Sequence, residues 1–236
     1  MRLDKFLANM GYGSRKEVKK LLKTGAVSIN DDVMKDAKIH LDEKKDIVIV
    51  NGQEVVFKPF IYLMMNKPQG IISATEDAQD ETVVDILELG HARYEPFPVG
   101  RLDKDTEGFV LLTNNGKLSH ELLSPKKHVP KTYFARIEGC VTNEDIIKFK
   151  QGVILDDSYQ TKPAELVILE SGEISEIELT ITEGKFHQVK RMFIAVGKKV
   201  IYLKRLSIGP LKLDSELQLG EYRELTEEEI EMLVNR

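Results

Sequence analysis

Between Gly100 and Gly116 the chain reads GRLDKDTEGFVLLTNNG. Two carboxylates, Asp103 and Asp105, stand on either side of Lys104 and follow Arg101, just before a run apolar enough to be buried. If residues 101–105 are extended, the two-residue repeat puts Arg101, Asp103 and Asp105 on one side and Leu102 on the other, so both carboxylates could face a cleft. A carboxylate after a glycine turn, at the edge of a buried strand, can be held rigidly, partly desolvated and kept ionised by a cation, as a nucleophile or base requires. The same spacing also fits a plain turn with Asp as a local cap and Arg–Asp surface pairs. A cation is available further on. His187, Lys190 and Arg191 fall at i, i+3 and i+4 of a predicted helix over 187–196, opposite an apolar stripe of Val189, Met192, Phe193 and Val196. That face is either the solvated side of an amphipathic helix or a source of the charge Asp103 needs, with phosphate contacts besides. Tyr133, between Lys131 and Arg136 in a strand-like run, is either core or a ring that stacks on a base.

The elements that must hold these residues are legible from their periodicity. Buried strands are predicted over 61–65 and 109–113, further strands over 132–138, 164–169 and 174–182, and helices over 117–123, 143–150 after a Thr142 cap, 187–196, and 227–234 after a Thr226 cap. Strands outnumber helices and few strand–helix–strand units occur, which predicts a mixed, mainly antiparallel sheet over residues 59–236. Before it, residues 1–58 read as a small αα-plus-β unit, giving an α+β chain of two domains. Leu3, Phe6, Leu7 and Met10 recur at helical spacing up to Gly11, and Ser14-Arg-Lys-Glu17 is a capping box opening a second helix that ends at Gly25. Burying Val18, Leu21 and Leu22 leaves Arg15, Lys16, Lys19, Lys20 and Lys23 exposed against one acid, Glu17: a basic stripe.

The chain has 236 residues, 42% of them hydrophobic, enough to fill a proper core. Its net charge of −5 argues on average against a nucleic-acid partner. The average hides segregation: eight acids against two arginines from Asp214 onward offset clusters of cations at 126–136 and 185–205, and phosphate binding depends on such local patches. No apolar run approaches the roughly 20 residues of a membrane span, and the charged start MRLDKFLANM does not resemble a signal peptide, so a cytoplasmic protein without a membrane partner is expected. No Cys/His spacing fits a zinc site, so no metal is expected; the single cysteine, Cys140, is expected in the core.

Three stretches together resemble the RsuA family of pseudouridine synthases, which isomerise a uridine of ribosomal RNA: Gly100-Arg-Leu-Asp-Lys-Asp-Thr-Glu-Gly108, Lys131-Thr-Tyr133 and Glu183-Gly-Lys-Phe-His-Gln-Val-Lys-Arg-Met-Phe193. The opening Met1-Arg-Leu-Asp-Lys-Phe6 with its basic helix is similar to an RNA-binding module shared with the small-subunit ribosomal protein S-four. The resemblance spans nearly the whole chain. It implies that Asp103 is the catalytic carboxylate, with Asp105 in a supporting or structural role, and that Tyr133 is a further catalytic residue, packing against the target base and taking part in proton transfer. It implies an ion pair from Lys190, where many members carry arginine; lysine keeps the charge but loses the bidentate fork. Arg101 would contact RNA around the extruded nucleotide, with His187, Arg191 and the stripe of Arg15, Lys16, Lys19, Lys20 and Lys23 as further RNA contacts, and Asn66-Lys-Pro68 would be structural. No cofactor is implied, because breaking and remaking a glycosidic bond needs only a carboxylate, a closed pocket and a proton shuttle. Asp103 either attacks ribose carbon one or promotes a glycal by removing a neighbouring proton. HQVKRM and Gln160-Thr-Lys-Pro-Ala164 resemble the small-subunit enzymes, so 16S ribosomal RNA is the preferred partner, and a monomer is favoured. The alternatives are a large-subunit (23S) synthase and a non-catalytic ribosomal RNA-binding assembly factor. A glycoside hydrolase using Asp103 and Asp105 is disfavoured, because that chemistry wants carboxyls about 5 Å or more apart on opposing walls.

Overall fold

Ser14 and Glu17 start the second helix reciprocally: the Ser14 backbone N–H donates to Glu17 Oε2 at 2.7 Å and the Glu17 N–H to Ser14 Oγ at 3.4 Å. In the computed structural model, which describes residues 1–43 and 45–234, helices α1 (Leu3–Asn9) and α2 (Arg15–Lys23) are followed by strands β1 (Val27–Ile29), β2 (Asp32–Val33), β3 (Val48–Val50) and β4 (Gln53–Glu54). The four strands pair antiparallel in the order β2-β1-β3-β4, with Val27 opposite Val50 and Ile29 opposite Val48. These valines, with Leu3, Phe6, Leu7, Met10, Val18 and Leu22, form one buried core. Each such Leu, Phe or Val contributes about 1.5–3 kcal/mol by leaving water. Arg15, Lys16, Lys19, Lys20 and Lys23 are all exposed on α2. This compact unit comprises Met1–Ile61 and also Leu87–Pro96. The returning segment carries helix α3 (Leu89–Ala92), and its Tyr94 packs against the unit's core, a contact between residues too distant in sequence for local pattern to reveal.

The second unit, Tyr62–Ile86 and Phe97–Arg236, is built on a larger sheet. Its elements are β5 (Tyr62–Lys67), β6 (Phe97–Pro98), β7 (Glu107–Thr113), α4 (Gly116–Leu123), β8 (Lys131–Glu138), α5 (Asn143–Gln151), β9 (Glu165–Glu170), β10 (Ile174–Ile181), α6 (Gln188–Ala195), β11 (Lys199–Ile208), β12 (Leu211–Lys212), β13 (Tyr222–Glu224) and α7 (Glu227–Val234). Among the described residues, nine strands form a sheet of order β13-β5-β7-β11-β8-β10-β9, with β12 on β11 and β6 on β7. The β7–β11 pair is parallel and the other pairs antiparallel, so the mixed, mainly antiparallel expectation holds. β7, interior to the sheet, is buried over its last six residues, as a strand covered on both faces requires.

One element here is not anticipated by the sequence, and one expectation fails. β11 spans ten residues at the centre of the sheet, where the sequence shows mainly a cluster of cations; Lys199, Lys204 and Arg205 interrupt its apolar pattern. Cys140 is exposed just after β8, its Sγ 3.2 Å from Ser171 Oγ, because the strand has already ended. Gly108 explains the glycine of the DTEG stretch. It has φ +101°, and a Cβ there would lie 2.3 Å from the Arg205 carbonyl oxygen on β11, so only glycine lets the parallel strands meet.

Candidate active site

Asp103 sits in a loop and Lys104-Asp105 in a turn, not in the extended strand that alternation suggests. Buried polar groups fix this loop through its backbone. Lys67, the last residue of β5 and 0% exposed, extends its ammonium into the loop. Lys67 Nζ donates to the carbonyls of Pro68, Asp103, Lys104 and Thr106 at 3.0, 3.1, 3.4 and 2.8 Å. The Ser73 hydroxyl accepts from the Leu102 N–H at 3.1 Å, the Gly70 N–H donates to the Lys104 carbonyl at 2.9 Å, and the Thr106 N–H closes the turn onto the Asp103 carbonyl at 3.0 Å. Burial pulls the Lys67 ammonium down to about 8; the Asp105, Asp103 and Glu107 carboxylates resist that shift and the Arg205 guanidinium adds to it.

The loop and α6 bring the charges together. Lys190 Nζ lies 3.2 Å from Asp103 Oδ2 and 2.6 Å from Asp105 Oδ1, so one ammonium bridges both acids. Desolvation opposes the charge on Lys190, but its bonds to Asp105 and Asp103 more than offset this and raise its pKa. Asp105 is held below the usual carboxylate range: partial burial pushes it up, and Lys190 outweighs that. His187 Nε2 lies 3.6 Å from Asp103 Oδ1. Asp103 itself keeps 28% side-chain exposure, available to a ligand yet anchored by a cation.

Asp103 opens onto a cavity of about 260 Å³ whose walls include Arg101, Tyr133, Leu203, Arg205 and Lys190. Tyr133 on β8 stands directly opposite Arg205 on β11, and Leu203 opposite Ala135, so alternation points Tyr133, Leu203 and Arg205 to one face of the sheet. The volume is near the low end of small-molecule sites, about 300 Å³, and suits a single base with part of its sugar. Tyr133 is 7% exposed and presents an aromatic wall.

The structure thus gathers Asp103, Tyr133, Lys190, Arg101 and His187 around one cavity. Arg191 is not brought there. It turns to Asp156 and Asp157, with NH2 2.7 Å from Asp157 Oδ2, because neighbours on a helix point about 100° apart and these two acids stand on the side Arg191 faces. His187 is the N-cap residue with left-handed backbone, φ 48°, rather than part of the helix. Sequence reasoning missed Glu183, a buried acid that accepts from Tyr159 OH at 2.7 Å, the Lys162 N–H at 2.9 Å and Gln188 Nε2 at 2.8 Å. Gln188 Oε1 accepts from the Lys185 N–H at 2.8 Å, so this chain of bonds sets the turn between β10 and α6 that delivers His187 and Lys190. The signal was present as Glu183-Gly-Lys-Phe-His-Gln188, but nothing in spacing shows which of its polar residues points inward. Arg205, which spacing groups with a surface cluster of cations, is 2% exposed; it donates Nε to the Phe109 carbonyl at 2.7 Å and lines the cavity.

Comparison with known proteins fits this geometry. Residues 61–195 match the family described as RNA pseudouridylate synthase, and residues 1–48 match the S4 domain. The chain is 58% identical over 235 residues to an uncharacterized RNA pseudouridine synthase of Bacillus subtilis, YtzG, covering 99% of this chain and 98% of that protein. It is 42% identical over 231 residues to a ribosomal small subunit pseudouridine synthase A of Yersinia pestis, covering 98% of this chain and 97% of that one. A solved structure, a crystal structure of pseudouridylate synthase, superposes with a TM-score of 0.69 at 37% identity over 99% of both chains.

Proposed function

Given that the chain belongs to the RNA pseudouridylate synthase family and is an isomerase acting on RNA, we propose that it converts one uridine of 16S, small-subunit ribosomal RNA to pseudouridine with Asp103 as the catalytic carboxylate. The observation that carries this reading is the Asp103 carboxylate, 3.2 Å from the Lys190 ammonium, at the wall of a base-sized cavity that Tyr133 also lines. The name of the Yersinia relative supports the small-subunit substrate. The protein works in the cytoplasm, without a cofactor.

A uridine inside a stack cannot reach Asp103, so the nucleotide everts and its base enters the cavity beside Tyr133, which replaces the lost stacking. Asp103 acts at the ribose as the bond from carbon one to nitrogen one breaks, and the uracil leaves carrying the electron pair. The freed base turns within the closed cavity, carbon five bonds to carbon one, the carbon-five proton is lost and nitrogen one gains a proton, so atoms and charge balance. Lys190 pairs with the Asp103 carboxylate, and Arg101 with the exposed cations of α2 contacts phosphates. No redox partner enters.

The test is to incubate the protein separately with 16S and 23S RNA and map modified uridines by mass spectrometry. Modification of one 16S uridine by the wild type and none by Asp103→Asn, with RNA still bound, is the expected result. Modification confined to 23S RNA removes the substrate assignment, and an active Asp103→Asn removes the catalytic one.

A further inference from the structure

Phe186 stands beside the site with 76% of its surface exposed. Its ring stacks on the His187 imidazole, centroids 3.7 Å apart and planes 21° apart, and His187 Nε2 is in turn 3.6 Å from Asp103 Oδ1. With His187 covering one face, the exposure comes from the other face and the edge. The ring is not on a loose loop: the Lys185 N–H is tied to Gln188 Oε1 at 2.8 Å, and Arg191 NH1 reaches the Phe186 carbonyl at 3.4 Å while its other nitrogens are held by Asp156 and Asp157. Phe186 also lines a second, wider cavity of about 920 Å³ with Ile72 and Gln69, and this cavity meets the smaller one at Arg101, Asp103, His187 and Lys190. The two spaces therefore adjoin at the carboxylate, one sized for a single base and the other large enough for the strand beside it.

Everting one nucleotide leaves its neighbours with an unstacked face, which is a cost a protein can offset by offering an aromatic ring in place of the missing base. Deepening the function proposed above, we infer that Phe186, backed by His187, is the platform on which a base adjacent to the everted uridine stacks while that uridine occupies the smaller cavity. Arg101, which lines the same cavity, supplies a cation for the intervening phosphates, whereas Lys104 is paired with Asp80 at 2.6 Å. The ring recognises any base, because every base has a π face; it positions the strand and does not read its sequence.

The experiment uses the full chain and a ribosomal RNA fragment spanning the target uridine, with 2-aminopurine replacing the nucleotide on one side or the other. Wild type and Phe186→Tyr quench the probe at one flanking position on binding. Phe186→Ala and Phe186→Leu leave it bright and raise KM for the RNA roughly tenfold, while kcat changes less. The leucine variant separates aromatic stacking from apolar contact, and an exposed position makes loss of folding no confounder. Wild-type KM and quenching retained in both the alanine and leucine variants would overturn the inference. A quench without any pseudouridine formed leaves the platform standing and defeats the catalytic reading, whereas pseudouridine formed with the probe bright at both positions defeats the platform alone.

Discussion

Lys190 is closer to Asp105 than to the acid it is proposed to serve, and this sharing has consequences that separate the three residues. Asp105→Asn removes the nearer competitor, so the ammonium settles on Asp103 and at least part of the activity survives in a single-turnover assay. Lys190→Met leaves Asp103 without its cation and is expected to lower kcat by about 100-fold or more, whereas Lys190→Arg keeps the charge and restores much of it. Lys67 makes a prediction in pH. Its pKa in the fold, about 8, lies below the ordinary value of 10.5, so between those values the unfolded chain holds more protons than the native one. Stability contributed by this group therefore rises with pH across that window and carries a constant cost below it. Catalysis runs the other way. The neutral amine has two protons for the four carbonyls it now serves, the loop bearing Asp103 loosens, and kcat falls above about pH 8. The pH–rate profile of Lys67→Met, slower throughout, should lack that alkaline limb; a limb unchanged in this variant would assign it elsewhere.

At the scale of elements, the site depends on β7 and β11 meeting in parallel at Gly108 and Arg205. Gly108→Ala would put a methyl 2.3 Å from the Arg205 carbonyl oxygen at a backbone φ of +101°, so the strands must separate. The expected loss is at least about 2 kcal/mol, a fall in Tm of roughly 4–8 °C by calorimetry, together with loss of activity because the displaced strand carries the Asp103 loop. This junction also marks what the sequence could disclose. α1, α2, β7, β8, α5 and α7 follow from apolar spacing and capping boxes, which are local and act within a turn or two. β11 does not, since Arg205 faces inward to a cavity and Lys199 and Lys204 break the alternation, so its burial is decided by strands distant in sequence. The carboxylates were found by type and motif, but their geometry was not: alternation predicted an extended segment, and the observed turn is imposed by Lys67, Ser73 and Gly70, all about thirty or more residues upstream. Arg191 and Lys190 look equivalent at helical spacing, and only the placement of Asp156 and Asp157 distinguishes them.

For the whole molecule, the unit bearing α2 poses the question of how RNA affinity is divided along the chain. Deleting residues 1–58 is a poor test, since Leu87–Pro96 belongs to the same unit and Tyr94 would be stripped of the core it packs on. Replacing Arg15, Lys16, Lys19, Lys20 and Lys23 with glutamine is better, because all five are exposed. Arg15 and Lys19, Lys16 and Lys20, and Lys19 and Lys23 stand four apart on one helix, and such like-charge pairs repel by about 0.2–0.5 kcal/mol each. The substitution should therefore raise Tm slightly or leave it unchanged. RNA affinity should move in the opposite sense: each phosphate that the stripe no longer neutralises takes about 0.7–0.9 from the slope of log K against log salt, so three such phosphates flatten it by about 2–3. A merely solvated face predicts the same gain in stability with no change in that slope, which makes filter binding across a salt series the deciding measurement. If the slope does flatten, the stripe is held at some expense to the fold, and the negative net charge of −5 says little about where the chain meets its RNA.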